Sequence, residues 1–302
     1  MNTKYRTAEL YDADVTRNCE IALALLLRSF GTLKDTIRLV GGLVPRYLAP
    51  VQPPDVPAHA GTTDVDVLLN VSVLAQKGTY AQLKDQLKAN GFTRNIKDGK
   101  PSGWQWVCVV NGQRVVIEFL QSTDDQSQSG KLASVDDEGV SAVQFLHAGI
   151  AHDWYEETEI KVEMPNGGGI ASERVRYADP VAFMVLKTMA FDHRREPKDA
   201  ADLIHVMRYW GKPVPDTDQL AAIYADRIKT SPRSDVLQKV LALLERHFCD
   251  EEGTEGWRKE GPSMFANFHQ FGESGSDESV REQREVSGLV RYFVRQVRSQ
   301  SE

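Results

Sequence analysis

The sequence predicts an α+β fold, in which a small mixed β-sheet with helices on one side is followed by a mainly helical C-terminal part. Residues 35–48 have the pattern of a short strand, a Gly-Gly pair and a short helix. Two apolar, β-branched runs flank Asn111-Gly112, which is the strongest short signal for a β-hairpin. Beyond Asp179-Pro180, a typical N-cap and first helical residue, apolar residues recur at helical spacing.

Composition and charge limit the possible classes of protein. The chain has 302 residues, of which 41% are hydrophobic and 26% charged, as is usual for a globular protein. No apolar run is long enough for a transmembrane helix, and no apolar segment follows the first residues, so we expect neither membrane contact nor a secretory signal. Cys19, Cys108 and Cys249 are far apart, which favours reduced thiols in a cytoplasmic protein. The net charge of −7 means that RNA binding would need a local basic patch.

The remaining patterns predict further helices and a second hairpin. Apolar spacing predicts helices over residues 9–30 and Tyr80–Ala89. The alternating run 159–164 precedes Gly167-Gly168-Gly169, which is interpreted as a hairpin turn because no P-loop lysine follows it. The acidic segment Gln121–Gly139 is predicted to be a loop, with a partner-contact insertion as the alternative. These elements suggest three parts, namely a core over residues 1–125, a second hairpin and helices that complete a cleft over residues 126–210, and a helical domain over residues 211–302.

Two acidic residues stand at the head of the apolar run 62–70. Side chains two residues apart share one face of a strand, so Asp64 and Asp66 are expected to point the same way while the valines between and after them enter the core. Glu118 is the one acid in the second strand of the predicted hairpin, where an acid is costly unless it is paired or binds a metal. Carboxylates on neighbouring strands are suitable ligands for Mg²⁺. Solvated acids at a strand end are the alternative.

Two other patterns are compatible with phosphate binding. Gly41 and Gly42, between a strand and a helix start, would let backbone N–H groups approach a phosphate; a simple tight turn is the alternative. Lys187 lies in a predicted helix over Val181–Phe191. The next predicted helix carries three charged residues that could instead form ordinary surface pairs. These are Lys198, Asp199 and Asp202.

The order of these motifs carries a family resemblance. The Gly-Gly pair, the Asp-hydrophobic-Asp motif and the later strand acid together resemble the core signature of the DNA polymerase β-type nucleotidyltransferase superfamily. Lys187, followed by Arg194 and by the Lys-Asp-x-x-Asp-Leu run that starts at Lys198, resembles the AbiEii/AbiGii branch, which includes the MenT-type toxins. The resemblance covers about Asp35 to Arg208.

The chain departs from the family pattern at three places. Residues 43–63 form a longer segment between the glycines and the first acid than most superfamily members have. Gly42 stands where many relatives have serine. His59-Ala60 stands where the branch often has His-Arg, so the arginine of that motif is absent.

The resemblance implies a metal-dependent transfer of a nucleoside monophosphate from a nucleoside triphosphate to an acceptor hydroxyl. Mg²⁺ or Mn²⁺ would be held by Asp64, Asp66 and Glu118, and Glu118 would also accept the hydroxyl proton. Lys187 would act with them by neutralising the β and γ phosphates. The remaining nucleotide-binding positions would be Gly41, Gly42, Thr62, Lys198 and Asp199.

The resemblance also implies partners and a biological context. It suggests a bacterial toxin–antitoxin or phage-defence system, with RNA such as a tRNA 3′ end as the acceptor and a cognate antitoxin as a partner. On the last predicted helix, four arginines form a stripe that would contact RNA, unless it is a solvated charged face. They are Arg284, Arg291, Arg295 and Arg298. Arg194 and Arg195 could join them. Two alternatives remain, namely the same fold acting on a small molecule or a protein hydroxyl, and a non-catalytic binding module.

Overall fold

The chain folds into two compact units. The computed structural model describes residues 5–70, 80–134, 140–211, 214–273 and 275–301. A sheet unit comprises Asp12–Val44 and Gly61–Asp179, and a helical unit comprises Met1–Tyr11, Pro45–Ala60 and Pro180–Glu302. The three-part division made from the sequence stays a prediction.

The described strands all belong to the sheet unit. They are β1 (Ile37–Val40), β2 (Asp64–Leu69), β3 (Thr93–Lys97), β4 (Lys100–Val110), β5 (Gln113–Thr123), β6 (Leu132–Ser134), β7 (Ser141–Leu146), β8 (Tyr155–Glu163) and β9 (Ile170–Ala178). The predicted α+β class with a mixed sheet is confirmed.

The helices are divided between the units. They are α1 (Ala13–Phe30), α2 (Pro45–Leu48), α3 (Tyr80–Ala89), α4 (Ile150–Asp153), α5 (Pro180–Arg194), α6 (Pro197–Tyr209), α7 (Thr217–Thr230), α8 (Ser234–Phe248), α9 (Glu260–His269) and α10 (Asp277–Ser301). Helices α1, α3 and α4 lie in the sheet unit and the others in the helical unit. The predicted helical C-terminal part is therefore confirmed.

The sheet is mixed and has nine strands among the described residues. Its main order is β3-β4-β5-β2-β1-β9-β8, while β7 pairs with β5 and β6 with β7. Strand β2 is antiparallel to β1 and parallel to β5, and β1 is parallel to β9. Both predicted hairpins are present, as β4–β5 and β8–β9.

One prediction made from local composition is wrong. The segment Gln121–Gly139 is predicted to be a loop, but β5 continues to Thr123 and β6 forms within it; residues 135–139 lie outside the described residues. Strand β6 has only three residues, Leu132–Ser134, and it is recognised by its antiparallel pairing with β7.

The core of the sheet unit explains why α1 and β2 form. Asp12 caps α1 by accepting a hydrogen bond from the Asp14 N–H, and the apolar face that includes Leu23 and Leu26 packs over the strands and against α3. In β2, Val65 and Val67 are fully buried on one face. Asp64 and Asp66 alternate with them and therefore project from the opposite face. The strand alternation therefore separates the core from the acids.

The helical unit has its own core. Helix α10 buries one face against α7, α8 and α9, including Val286, Val290 and Phe293. Asp216 accepts a hydrogen bond from the Gln219 N–H and so caps α7. None of the described helices combines the length and apolar character needed to cross a membrane.

Candidate active site

The sheet places two of the predicted acids side by side. In the parallel pairing of β2 with β5, Asp66 is the register partner of Glu118, and Asp64 is the partner of Val116. Adjacent strands lie about 4.8 Å apart, and residues two apart share a face, so the three acids project from one side of the sheet. Asp64 is 6% exposed, whereas Asp66 and Glu118 are partly exposed. One patch of the sheet thus carries three carboxylates.

Gly41 shapes this patch. The register partner of Asp66 on β1 is Val40, so the turn that follows β1 begins beside Asp66. Gly41 has a φ of +75°, and a Cβ atom built there would overlap the Asp66 carboxylate. Only glycine combines this backbone conformation with so close an approach. Gly42, which follows, is buried.

Thr62 orients the first acid. Its hydroxyl donates a hydrogen bond to Asp64 Oδ1 at 2.8 Å, and the threonine is 2% exposed. Its backbone N–H donates to Thr16 Oγ1 of α1 at 3.1 Å, which fixes the loop before β2. The structure therefore shows Thr62 in contact with a carboxylate, and its predicted contact with the nucleotide stays a prediction.

Gln105 is a polar residue of the patch that the sequence analysis missed. It is the register partner of Glu118 in the antiparallel β4–β5 pairing, and its Nε2 donates to Glu118 Oε1 at 2.8 Å. Gln105 is 2% exposed. The amide between Trp104 and Trp106, at the head of the apolar run that ends at Val110, was the available signal, because a buried amide needs hydrogen-bond partners.

The oxygen atoms of the patch match the ligands that Mg²⁺ or Mn²⁺ prefers. Asp64, Asp66 and Glu118 supply hard carboxylate donors, and Gly41 keeps a side chain away from Asp66. Within the part of the chain that the structure describes, no three His, Cys, Asp or Glu side chains are already arranged as a metal cluster. The donor chemistry fits a divalent metal, and the convergence of all three acids on one ion stays a prediction.

Lys187, in the helical unit, belongs to a buried ion network. Its Nζ lies 3.0 Å from Asp199 Oδ1 and 2.6 Å from Asp202 Oδ2. Lys198 Nζ lies 2.6 Å from Asp202 Oδ1, and Arg194 donates through Nε and a terminal nitrogen to Asp199 at 2.5 and 2.7 Å. Both aspartates are fully buried, so the interpretation of these residues as ordinary surface pairs is wrong.

The network fixes the charge of its members. Burial alone would raise the pKa of Asp202, but the charges of Lys187 and Lys198 outweigh it and hold that pKa well below its ordinary value. Burial alone would lower the pKa of Lys187, but Asp202 and Asp199 raise it above its ordinary value. Three cations therefore face two carboxylates in this network.

Two histidines complete the network. His59 Nε2 lies 2.8 Å from Asp202 Oδ1, yet burial lowers the pKa of His59 despite that carboxylate. The His205 ring packs edge-on against His59 with centroids 5.0 Å apart, and burial, followed by the charge of His59, lowers the pKa of His205 to about 3. Both imidazoles are therefore neutral at pH 7. His205 is a packed residue.

A family model described as nucleotidyltransferase matches residues 20–206. The chain belongs to this nucleotidyltransferase family. The matched range includes the Gly-Gly pair, the three strand acids and Lys187, so the predicted membership of a nucleotidyltransferase superfamily is confirmed. The AbiEii/AbiGii branch stays a prediction. No curated protein matches the chain significantly.

The predicted arginine stripe of this nucleotidyltransferase lies on α10 but is partly neutralised. Arg291 forms an ion pair with Asp250, and Arg298 donates to both carboxylate oxygens of Glu245 at 2.9 and 2.6 Å. The Arg284 guanidinium lies 5.0 Å from the centre of the Trp257 ring, beside a cavity of about 560 Å³. Arg284 and Arg291 both line this cavity.

Proposed function

We propose that the carboxylate patch of the sheet unit transfers a nucleoside monophosphate from a nucleoside triphosphate to an acceptor hydroxyl, with the help of a divalent metal. The observation that carries this proposal is the register pairing of Asp66 with Glu118, with Gly41 directly against the Asp66 carboxylate. Carboxylates set close together on one face repel one another, and a bound cation relieves that repulsion. The family supplies the matching reaction class.

The residues of the patch divide the work. Mg²⁺ or Mn²⁺, held by Asp64, Asp66 and Glu118, would supply a Lewis acid for the phosphoryl group and the acceptor. Glu118 would take the proton of the acceptor hydroxyl on its carboxylate as the new O–P bond forms at the α-phosphorus. The bond from that phosphorus to the bridging oxygen breaks, and pyrophosphate leaves. Thr62 keeps the Asp64 carboxylate in place through its hydrogen bond.

The first test measures the release of pyrophosphate and the transfer of label from α-labelled nucleoside triphosphates in the presence of Mg²⁺. Asp66→Asn and Glu118→Gln should each lower the rate by about a hundredfold or more, since each removes a charge that acts at the reacting phosphate. Asp85→Asn, an exposed acid on α3, should leave the rate unchanged. Wild-type rates in both site variants would overturn the proposal.

RNA, such as a tRNA 3′ end, is the proposed acceptor, and a bacterial toxin with a cognate antitoxin in the cytoplasm is the proposed context. The resemblance to the AbiEii/AbiGii branch supports both. Because the chain is acidic overall, RNA binding needs a local cationic surface, and exposed arginines on α10 provide one. Incubation of labelled triphosphates with separate pools of RNA, protein and metabolites tests this choice. If label is found only in protein or only in metabolites, that pool and not RNA contains the acceptor.

A further inference from the structure

A line of hydrogen bonds within the sheet unit ends on Glu118. Arg114, on β5, donates to Asn95 Oδ1 on β3. Asn95 Nδ2 donates to Gln105 Oε1 at 3.0 Å, and Gln105 Nε2 donates to Glu118 Oε1 at 2.8 Å. Four residues of three adjacent strands are thus connected in one direction, from a cation to a carboxylate.

The donor and acceptor roles along these hydrogen bonds are set by Arg114, the first residue of the series. A guanidinium can only donate hydrogen bonds, so Asn95 must present its oxygen to Arg114 and its NH₂ group to the next residue. Gln105 then receives that bond on its oxygen and must present its own NH₂ group to Glu118. Glu118 therefore accepts this hydrogen bond at Oε1.

The backbone places the two amides where this line requires them. Gln105 and Glu118 are register partners in the β4–β5 pairing. Asn95 falls where the β3–β4 register shifts, between Arg94 and Ile96. Such an irregularity re-aims a side chain, and here Asn95 reaches Gln105. Gln105 is 2% exposed, so water does not replace its bonds.

We propose that Gln105 is a positioning residue for Glu118, and that Asn95 and Arg114 lock the Gln105 amide so that the carboxylate is held in one orientation as a proton acceptor. This inference rests on the proposed function, because Glu118 is the base of that reaction and Gln105 would hold it in place. Partners that orient a ligand or base from behind are worth about 10- to 100-fold in metal affinity or activity.

The first test removes the donor. Gln105→Leu should lower transfer activity about 10- to 100-fold and move the acidic limb of the pH–rate profile to higher pH, because Glu118 loses a hydrogen bond that favours its ionised form. Gln113→Leu is the matched control; it removes an amide of the same hairpin whose oxygen accepts from Asn18 at 2.6 Å and not from the site. Equal effects of the two substitutions, or an unmoved pH profile in Gln105→Leu, would overturn the proposal.

A nearly isosteric substitution covers the case in which Gln105→Leu fails to fold. In Asn95→Asp, the new carboxylate can only accept, so the Gln105 amide must turn its NH₂ group toward residue 95 and its oxygen toward Glu118. Two acceptors then face each other unless Glu118 is protonated, and the acidic limb should move up by about one pH unit or more. An acidic limb unchanged in Asn95→Asp would overturn the relay.

A readout without catalysis separates this inference from the proposed function. The carboxyl carbon of Glu118, observed by NMR in glutamate-labelled protein, should titrate at higher pH in Asn95→Asp than in wild type. If the wild-type chain transfers no nucleotide but this shift is present, the proposed function fails and the relay stands. If the wild-type chain is active and the titration is the same in both proteins, the relay fails and the function stands.

Discussion

Gly41 lies directly against the carboxylate of Asp66 and follows Val40, the last residue of strand β1 and the register partner of Asp66. The contact has no room for a Cβ atom, and the φ of +75° disfavours any other residue. We therefore expect Gly41→Ala to displace the Asp66 carboxylate and to lower nucleotidyl transfer by about tenfold or more, as loss of positioning does.

Gly91→Ala provides the control for that prediction. Gly91 has a φ of +85°, but no atom lies within 4 Å of the place that a Cβ would occupy, so its substitution carries only the backbone cost of about 1–2 kcal/mol. Both variants should lower the melting temperature, but only Gly41→Ala should lower the transfer rate of the folded protein. An active Gly41→Ala variant would show that Asp66 is not held where the reaction needs it.

Asp202 is expected to be the member of the buried network with the largest effect on stability. Asp202→Ala leaves Lys187 and Lys198 without a shared carboxylate in a buried site, and breaking such a network costs about 3–5 kcal/mol. Glu159→Ala removes an exposed acid 4.0 Å from Lys161 and should change the free energy of unfolding by less than about 1 kcal/mol. Urea unfolding measures both, and equal values would contradict the buried charge pairing.

Lys187→Ala tests the predicted role of this lysine in nucleotide binding. Its loss should weaken triphosphate affinity, whereas Lys161→Ala, at an exposed position of β8, should not. Calorimetric titration with a non-hydrolysable triphosphate gives both affinities. An unchanged affinity in folded Lys187→Ala protein would restrict Lys187 to holding Asp199 and Asp202 in place.

The buried histidines should make the stability of the protein decrease as the pH falls. Burial, followed by the charge of His59, lowers the pKa of His205 to about 3, and burial likewise lowers the pKa of His269 to about 4. The unfolded chain has an ordinary histidine pKa near 6.5 and so binds these protons first. The contribution is fully present above about pH 6.5 and is lost as the pH falls toward 3, by up to about 1.4 kcal/mol per pH unit for each histidine.

His205→Asn should therefore flatten the dependence of the unfolding free energy on pH between 6.5 and 4. His193→Asn, an exposed substitution near the end of α5, should leave that dependence as in wild type. Urea unfolding at several pH values supplies the comparison. The same slope in His205→Asn and wild type would mean that folding does not release a proton from His205 in this pH range.

The arginines of α10 should differ in their contribution to RNA binding. Arg291 and Arg298 are neutralised by Asp250 and Glu245, whereas Arg284 and Arg295 are exposed. Replacing Arg284 and Arg295 by glutamine should lower RNA affinity and flatten its salt dependence by roughly one unit per lost contact. The same change at Arg291 and Arg298 should have a smaller effect. If wild-type binding to RNA does not vary with salt, α10 is not the acceptor surface.

Local patterns in the sequence were enough to predict β2, the β4–β5 hairpin and the start of α5, because alternation, Asn111-Gly112 and Asp179-Pro180 act over a few residues. They could not predict which residue faces which across the sheet. The pairing of Asp66 with Glu118 joins distant positions of the chain through a parallel register that no local signal fixes. The contact of His59 with Asp202 spans 143 residues, so local sequence patterns could not predict the burial of that network either.

The parallel pairing of β1 with β9 joins Leu39 to Tyr177. Strand β2 lies between β1 and β5, so the carboxylate patch is in the middle of the sheet. Neighbouring strands of this sheet, such as β1 and β9, are synthesised at very different times. Long-range pairing of this kind slows folding, because the ends of a long loop must meet before their contacts stabilise anything. A ribosome-bound chain is therefore expected to gain nucleotidyl-transfer activity late, after β9 has emerged.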